Sequence, residues 1–342
     1  MHFDLSEERK MLKESCDRLL NDHYTKHKNH HEVSSSEIGF NKNFWKECSD
    51  IGMLSALISP NFNGLGGTGE DIMIVFELIG KHLVVEPFLS SGILSITSLT
   101  NSRNIKISVF DDISSASKIY AFGHSEIDTR YDETYIKTKA NYKNDTVFLT
   151  GQKSFVLNGD FADKIICTAR FSGNDFDQNG FGLYELDKND CNVRSYNTID
   201  GYKAAEQNFD NINGELLCKD DLALECIIKS NSAGALALSA EAVGIMQICF
   251  DLTLEYLKTR KGKNDMRPAG AHRRRDGAAA GNSLASSSRR NTMKGYHELT
   301  GLYKSRKTNY LQEENNIEQI SEDIRRLIEG LEMRGKNETE TQ

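Results

Sequence analysis

Proline is scarce in this chain, with 3 in 342 residues, and tryptophan occurs once. That sets aside collagen-like and proline-rich disordered chains, which depend on far more proline. No apolar run approaches the roughly 20 residues that cross a bilayer, and the opening MHFDLSEERK lacks a signal peptide's apolar core. A cytoplasmic protein with no membrane segment is the expectation. The 7 cysteines, at positions 16, 48, 167, 191, 218, 226 and 249, are odd in number and nowhere spaced as CxxC. Neither a disulfide framework nor a zinc site is expected, and most read as buried thiols. The glycines of SPNFNGLGGTG, residues 59–69, come without a GK[ST] or GxGxxG frame, so they read as a structural turn rather than a phosphate cradle. A net charge of -8 argues against nucleic-acid binding by the whole molecule while leaving room for a local basic segment.

What is present is a soluble globular composition, 38% hydrophobic and 27% charged, long enough for two or three domains. Residues 5–24 carry Leu5, Met11, Leu12, Leu19 and Leu20 at helical spacing, with Ser6 placed to cap and Glu7 and Glu8 in the first turn. His23, His27, His30 and His31 follow in a polar stretch that reads as solvated loop, with no metal. Further helices are expected over 43–53 and 70–83, the latter continuing as a buried helix through VVEPFLSSGILSITSL. Residues 1–114 thus read as a helical N-terminal domain.

Near residue 115 the pattern changes to short alternating segments, with strands expected at 118–123, 135–142, 146–150, 153–156, 164–169, 182–185, 191–196 and 206–209. This spacing fits a small β-barrel or sandwich over 115–220. Within it, residues 120–138 and the hairpin expected at 151–163 look like a site built on backbone. A long helix with a small-residue face occupies 221–262, so the fold class is α+β. Residues 263–293 are rich in Gly, Ala, Ser and Arg, including Arg273, Arg274, Arg275, Arg289 and Arg290, and read as a disordered basic linker. In the tail, residues 294–342, Ile317, Ile320, Ile324, Leu327 and Leu331 predict an amphipathic helix. The abrupt change of composition leaves a native tail, a frameshift and a gene fusion all open.

The order helices, barrel, helix, together with FDLSEERKML, PNFNGLGG, AFGHSE, GQKSFVLNGDFAD and AEAVG followed by EYLKTRK, resembles the acyl-CoA dehydrogenase family over residues 1–261. It is most similar to the smaller, divergent subunits of bacterial acyl-CoA degradation. The resemblance implies FAD as cofactor and removal of an α-proton by a carboxylate with hydride transfer to the flavin. It further implies an electron-transfer flavoprotein as electron acceptor and a homo- or hetero-oligomer with another such subunit. On the family's Y-x-[VL]-T-E run fall Phe122, His124 and Ser125, and on its W-I-T-N-G run Phe155 and Leu157; these five, with Arg260 toward the pyrophosphate, are the implied cofactor residues. Tyr131 stands where a small serine faces the CoA arm. Leu157 lacks the hydroxyl that would reach the flavin N5.

The catalytic base is missing from its usual place: one family position aligns with Gly234, and Glu241 is the nearest carboxylate, a weak candidate. The family's later glycine-rich adenosine loop is absent. Two readings follow. One is an acyl-CoA dehydrogenase-like subunit that needs a partner for the base and the rest of the cofactor grip; the other is a non-catalytic, truncated relative with a structural or interaction role.

Overall fold

Short polar side chains start the helices of the first third. Ser6 accepts from the Arg9 amide at 3.3 Å to open α1 (Glu7–Tyr24), and Asn41 accepts from the amides of Asn43 and Phe44 to open α2 (Lys42–Asp50). Thr68 and Asp71 form a reciprocal capping box at α3 (Gly69–His82). Arg9 then reaches across from α1, with Nε donating to Asp71 at 2.7 Å and Nη1 to Glu70 at 2.6 Å, which sets one helix against the other. The computed structural model describes residues 5–24, 33–103, 105–129, 132–144 and 146–259. Residues 1–257 form one compact unit and 258–342 a second. The basic linker, the arginine cluster and the amphipathic tail expected from the sequence lie outside the described residues.

The glycine segment between α2 and α3 is a turn. Gly67 has φ of +79°, and a Cβ on Gly64 would meet the Ile58 carbonyl oxygen at 1.9 Å. The amides of Gly64, Gly66 and Gly67 donate to the carbonyls of Ser59, Ile58 and Ala56, so these three donors are spent within the turn. One expectation is corrected just beyond α3. The chain does not continue as a helix through residues 84–87, because Leu83 ends α3 in the left-handed region at φ +54° and Pro87 follows. A π-helical segment (Phe88–Ser95) then leads into α4 (Ile96–Thr100), and α5 (Ile107–Ser114) closes the helical part.

Seven strands follow: β1 (Tyr120–Gly123), β2 (Lys139–Lys143), β3 (Thr146–Leu157), β4 (Lys164–Arg170), β5 (Phe181–Asp187), β6 (Asn192–Asn197) and β7 (Lys203–Lys219). They pair in the order β1-β4-β2-β3-β7-β5, and an additional β4–β5 pairing closes the sheet on itself, so the β region is a barrel; β6 pairs with β7. The two short strands expected at 146–150 and 153–156 are one, so residues 151–163 are not a hairpin. Gly151 lets the strand bend at φ +152° against Thr138, whose Cα a Cβ would meet at 2.6 Å, without ending it. Residues 135–138 are unpaired, and the segment expected at 206–209 belongs to the 17-residue β7.

The final described helix, α6 (Asp221–Thr259), buries Ala223, Cys226, Ile227, Ala233, Ala237 and Ala240. Two glycines let its backbone meet α3 closely. A Cβ on Gly80 would lie 1.9 Å from the Glu241 carbonyl oxygen, and one on Gly244 2.0 Å from that of Glu77. Toward its end α6 loses cover, with Leu252 58% and Tyr256 62% exposed. Within residues 221–256 an 18-residue window has mean hydropathy 1.6, so by length and composition alone this helix is long and apolar enough to cross a membrane, a test that the core helix of a soluble protein also passes. Alanine, glycine and serine interleave its large apolar residues, so it reads as a periodic helix rather than an apolar run.

Two buried carboxyls give the helical part a pH signature. Glu86 accepts from the Tyr24 hydroxyl at 2.5 Å, and burial pushes it up from 4.5 to about 7. Burial, with Asp200 nearby, also pushes Glu241 up to about 7. Each folded-state value lies above the unfolded one, so the folded chain holds these protons longer. Stability is full below pH 4.5 and falls as pH rises through about 7, by roughly 3 kcal/mol for a fully buried carboxyl such as Glu86 and less for the partly exposed Glu241. Chemical unfolding of the wild type at a series of pH values between the two is expected to show this decline. Glu86→Gln is expected to reduce it, and Glu86→Gln with Glu241→Gln to remove most of it; an unchanged slope in the double variant contradicts the assignment.

Candidate functional site

A bulge in β3 sets the geometry of the stretch singled out in the sequence. Lys153 pairs with Gln207 of β7 and Val156 with Ala205, so Ser154 and Phe155 together oppose Glu206. Inward positions along β3 run Val147, Leu149 and Lys153, and the extra residue shifts the parity so that Val156 is next inside. Phe155 is thereby turned outward and is 44% exposed. The Ser154 amide, released from the ladder, donates instead to the Ser125 carbonyl at 2.9 Å. This bond joins the end of β1 to the bulge and brings the two sequence-predicted runs, 122–125 and 155–157, to one rim. Ser125 is exposed there and Leu157 is half-buried.

Beneath the rim lies a buried ion pair. Lys153 is fully buried, and its Nζ donates to Glu126 Oε1 at 2.6 Å, to Thr168 Oγ1 at 2.9 Å and to the His124 carbonyl at 3.3 Å. Glu126 also accepts from the amides of Lys137 and Thr138 at 2.8 and 3.0 Å and from the Thr138 hydroxyl at 2.7 Å. Burial alone would raise the Glu126 carboxyl, but the Lys153 charge and these hydrogen bonds hold it below the ordinary glutamate value. Four segments therefore meet at one charge pair: the end of β1, the approach to β2, the bulged part of β3, and β4. Neither Lys153 nor Glu126 stood out in the sequence. The available signal was a lysine at an inward position of an alternating strand, with a glutamate three residues past the end of the first strand.

His124 is buried in this network rather than on the rim. Thr168 Oγ1 accepts from Lys153, which leaves its own proton to be donated to His124 Nδ1 at 3.1 Å. That arrangement puts the imidazole proton on Nε2, which has no partner among the described residues. Burial, aided by the Lys153 charge, pushes the imidazole down to about 3, so it is neutral. Phe122 is also buried, its ring stacked at 6.2 Å from that of His124. At the turn after β3, Asn158 at φ +55° accepts from Ser90 of the π-helical segment at 2.7 Å, which ties the helical part to the rim.

The candidate base positions lie elsewhere. A Cβ on Gly234 would meet Leu94 Cδ2 at 2.9 Å, so the space beside this glycine is already taken by a side chain of the π-helical segment. Glu241 packs its backbone on Gly80, has Asp200 as its electrostatic neighbour, and leaves Oε2 buried without a hydrogen-bond partner. Tyr131 and Arg260 lie outside the described residues. Among the described residues no group of three or more His, Cys, Asp or Glu is arranged to hold a metal ion.

Residues 6–101 match the family described as acyl-CoA dehydrogenase, N-terminal domain. Acyl-CoA dehydrogenase IpdE2 of Mycolicibacterium smegmatis is 25% identical over 257 residues, which cover 75% of this chain and 66% of that protein. The chain thus spans just under two thirds of that relative. Among solved structures, the ChsE4-ChsE5 complex from Mycobacterium tuberculosis aligns at a TM-score of 0.68 and 19% identity, covering 89% of this chain and 77% of that one. The FAD complex of PigA aligns at 0.68 and 20% identity, covering 77% and 71%. At these identities the structures establish the shared fold.

Removing one partner of the buried pair leaves an uncompensated charge. Lys153→Met is therefore expected to cost about 3–5 kcal/mol in chemical unfolding, and Lys153→Met with Glu126→Leu distinctly less than Lys153→Met alone. A double variant as unstable as the single one would show that the pair does not act as a unit.

Proposed function

We propose that this chain, a member of the acyl-CoA dehydrogenase family, is a flavoprotein subunit for α,β-dehydrogenation of an acyl-CoA thioester, and that it acts with a second subunit. The observation that carries this reading is the rim itself. An outward-turned aromatic ring, Phe155, and an exposed hydroxyl, Ser125, stand side by side on backbone locked from below by Lys153 and Glu126. That donor set fits the ring half of FAD, which needs an apolar wall for its face and polar groups for its edge. Ser125 and the neighbouring backbone would hold the polar edge, and Phe155 and Leu157 would face the ring. When bound, the flavin supplies the hydride acceptor. The chain's own part is to orient the bound molecules and to keep water from the ring face.

Removal of the α-proton needs a base, and among the described residues neither position implied by the resemblance, Gly234 or Glu241, brings one to the rim. Gly234 has no side chain and Leu94 occupies the space beside it. Glu241 holds its proton up to about pH 7 and packs toward Gly80 and Asp200. A partner subunit that supplies the carboxylate answers this, and the fold shared with the ChsE4-ChsE5 complex supports an assembly of unlike subunits. An electron-transfer flavoprotein as electron acceptor and a cytoplasmic location complete the proposal. The contact of Leu94 with Gly234 also favours a second reading, a non-catalytic relative that keeps the fold for a structural or interaction role.

The test is spectroscopic. The purified full chain, incubated with FAD and desalted, is expected to retain visible flavin absorbance. A panel of acyl-CoA thioesters is expected to leave that absorbance unbleached for the chain alone and to bleach it once the second subunit is added. A protein that cannot be loaded with FAD overturns the first reading. Bleaching by the chain alone overturns the need for a partner.

A further inference from the structure

Two cysteines outside the rim face each other where β7 passes into α6. Cys218 Sγ and Cys226 Sγ lie 3.8 Å apart, and both residues are buried. The frame that holds them is rigid. Cys218 pairs with Leu183 across β5 and β7, and Cys226 sits in the second turn of α6. The turn between them is fixed at Asp220, in the left-handed region at φ +55°. Its amide donates to the Phe181 carbonyl at 2.8 Å, and its carboxylate accepts from the Gly180 amide at 2.8 Å. The contact is therefore a built feature of the strand-to-helix junction rather than a chance approach of mobile side chains.

Access and polarity favour reaction over inert packing. A surface hollow of about 380 Å³ opens at this junction, and Cys218 is one of its lining residues, together with Arg103, Lys219, Asp220 and Asp221. The two thiols share one contact in which either sulfur can donate. Cys218 is the sulfur on the side of the hollow, and Cys226 stands behind it as the second thiol. By contrast, burial pushes the Cys16 and Cys167 thiols up to about 12, so these are inert at neutral pH.

We propose that Cys218 and Cys226 form an oxidisable dithiol site for small hydroperoxides, whose disulfide product staples the end of β7 to the second turn of α6. The Cys218 thiolate attacks the outer peroxide oxygen, the O–O bond breaks, and the alcohol leaves with a proton; Cys218 becomes a sulfenic acid, oxidised by two electrons. The Cys226 thiol then attacks that sulfur, the S–S bond forms, the S–O bond breaks, and water leaves with the Cys226 proton. Overall two thiols and one hydroperoxide give one disulfide, one alcohol and one water. The sulfurs must close from 3.8 Å to about 2.05 Å, which rotation of the two side chains has to supply.

The experiment uses the full chain carrying Cys249→Ser, which removes the exposed thiol that would otherwise cross-link molecules. After cumene hydroperoxide at equimolar dose and blocking of free thiols, peptide mapping is expected to recover a disulfide between Cys218 and Cys226 as the dominant product. In the same background, Cys226→Ser is expected to stop at a Cys218 sulfenic acid that dimedone captures. Complete alkylation of both thiols after peroxide overturns the proposal, and so does a dominant disulfide to Cys191. Should Cys226→Ser not fold, mapping of the Cys249→Ser chain alone decides. None of these readouts depends on flavin loading or on acyl-CoA turnover, so the site stands or falls independently of the proposed function.

Discussion

Lys153 and Glu126 form the interaction on which the candidate site depends. A fully buried ammonium and a buried carboxylate 2.6 Å apart are costly to desolvate, and the cost is offset only because further hydrogen bonds complete the pair. Those completing partners are backbone or short hydroxyl groups from separate segments: the His124 carbonyl, the Lys137 and Thr138 amides, and the Thr138 and Thr168 hydroxyls. None can move without leaving a charge unsatisfied. The pair therefore acts as a specifier of geometry more than as a source of stability, and what it specifies is the relative placement of Ser125 and the Ser154–Phe155 bulge.

The bulge converts that placement into a surface. In an undisturbed strand Phe155 would follow Lys153 on the inward face, and the barrel would bury it. One extra residue reverses the parity, so Val156 fills the core and Phe155 faces out. Elsewhere, Gly234 carries no side chain, and the end of the flexible Leu94 side chain packs beside it.

Much of the fold could be read from residue patterns. The capping residue Ser6, the glycine turn, the change from helical to alternating periodicity, and the long small-residue helix all correspond to observed elements. The errors share a cause. Pro87, Gly151 and the short β7 segment were each judged from local propensity, whereas neighbouring strands and helices decide whether a breaker ends an element or merely bends it. His124 shows the same limit: its backbone lies with the rim while its imidazole is neutral and buried against Thr168. The position in the chain was legible, the direction of the side chain was not.

By itself, then, the sequence determined which segments become helix or strand and which residues stand at the end of β1 and in β3, because capping, turn chemistry and hydrophobic period act over a few neighbours. Only the tertiary structure decided that Lys153 meets Glu126, that Phe155 turns outward, that Leu94 closes the space beside Gly234, and that Cys218 touches Cys226. Each of these joins residues from different elements. Their meeting depends on strand register and on the closure of the barrel, which arise from the summed packing of many side chains and from no local run of residues.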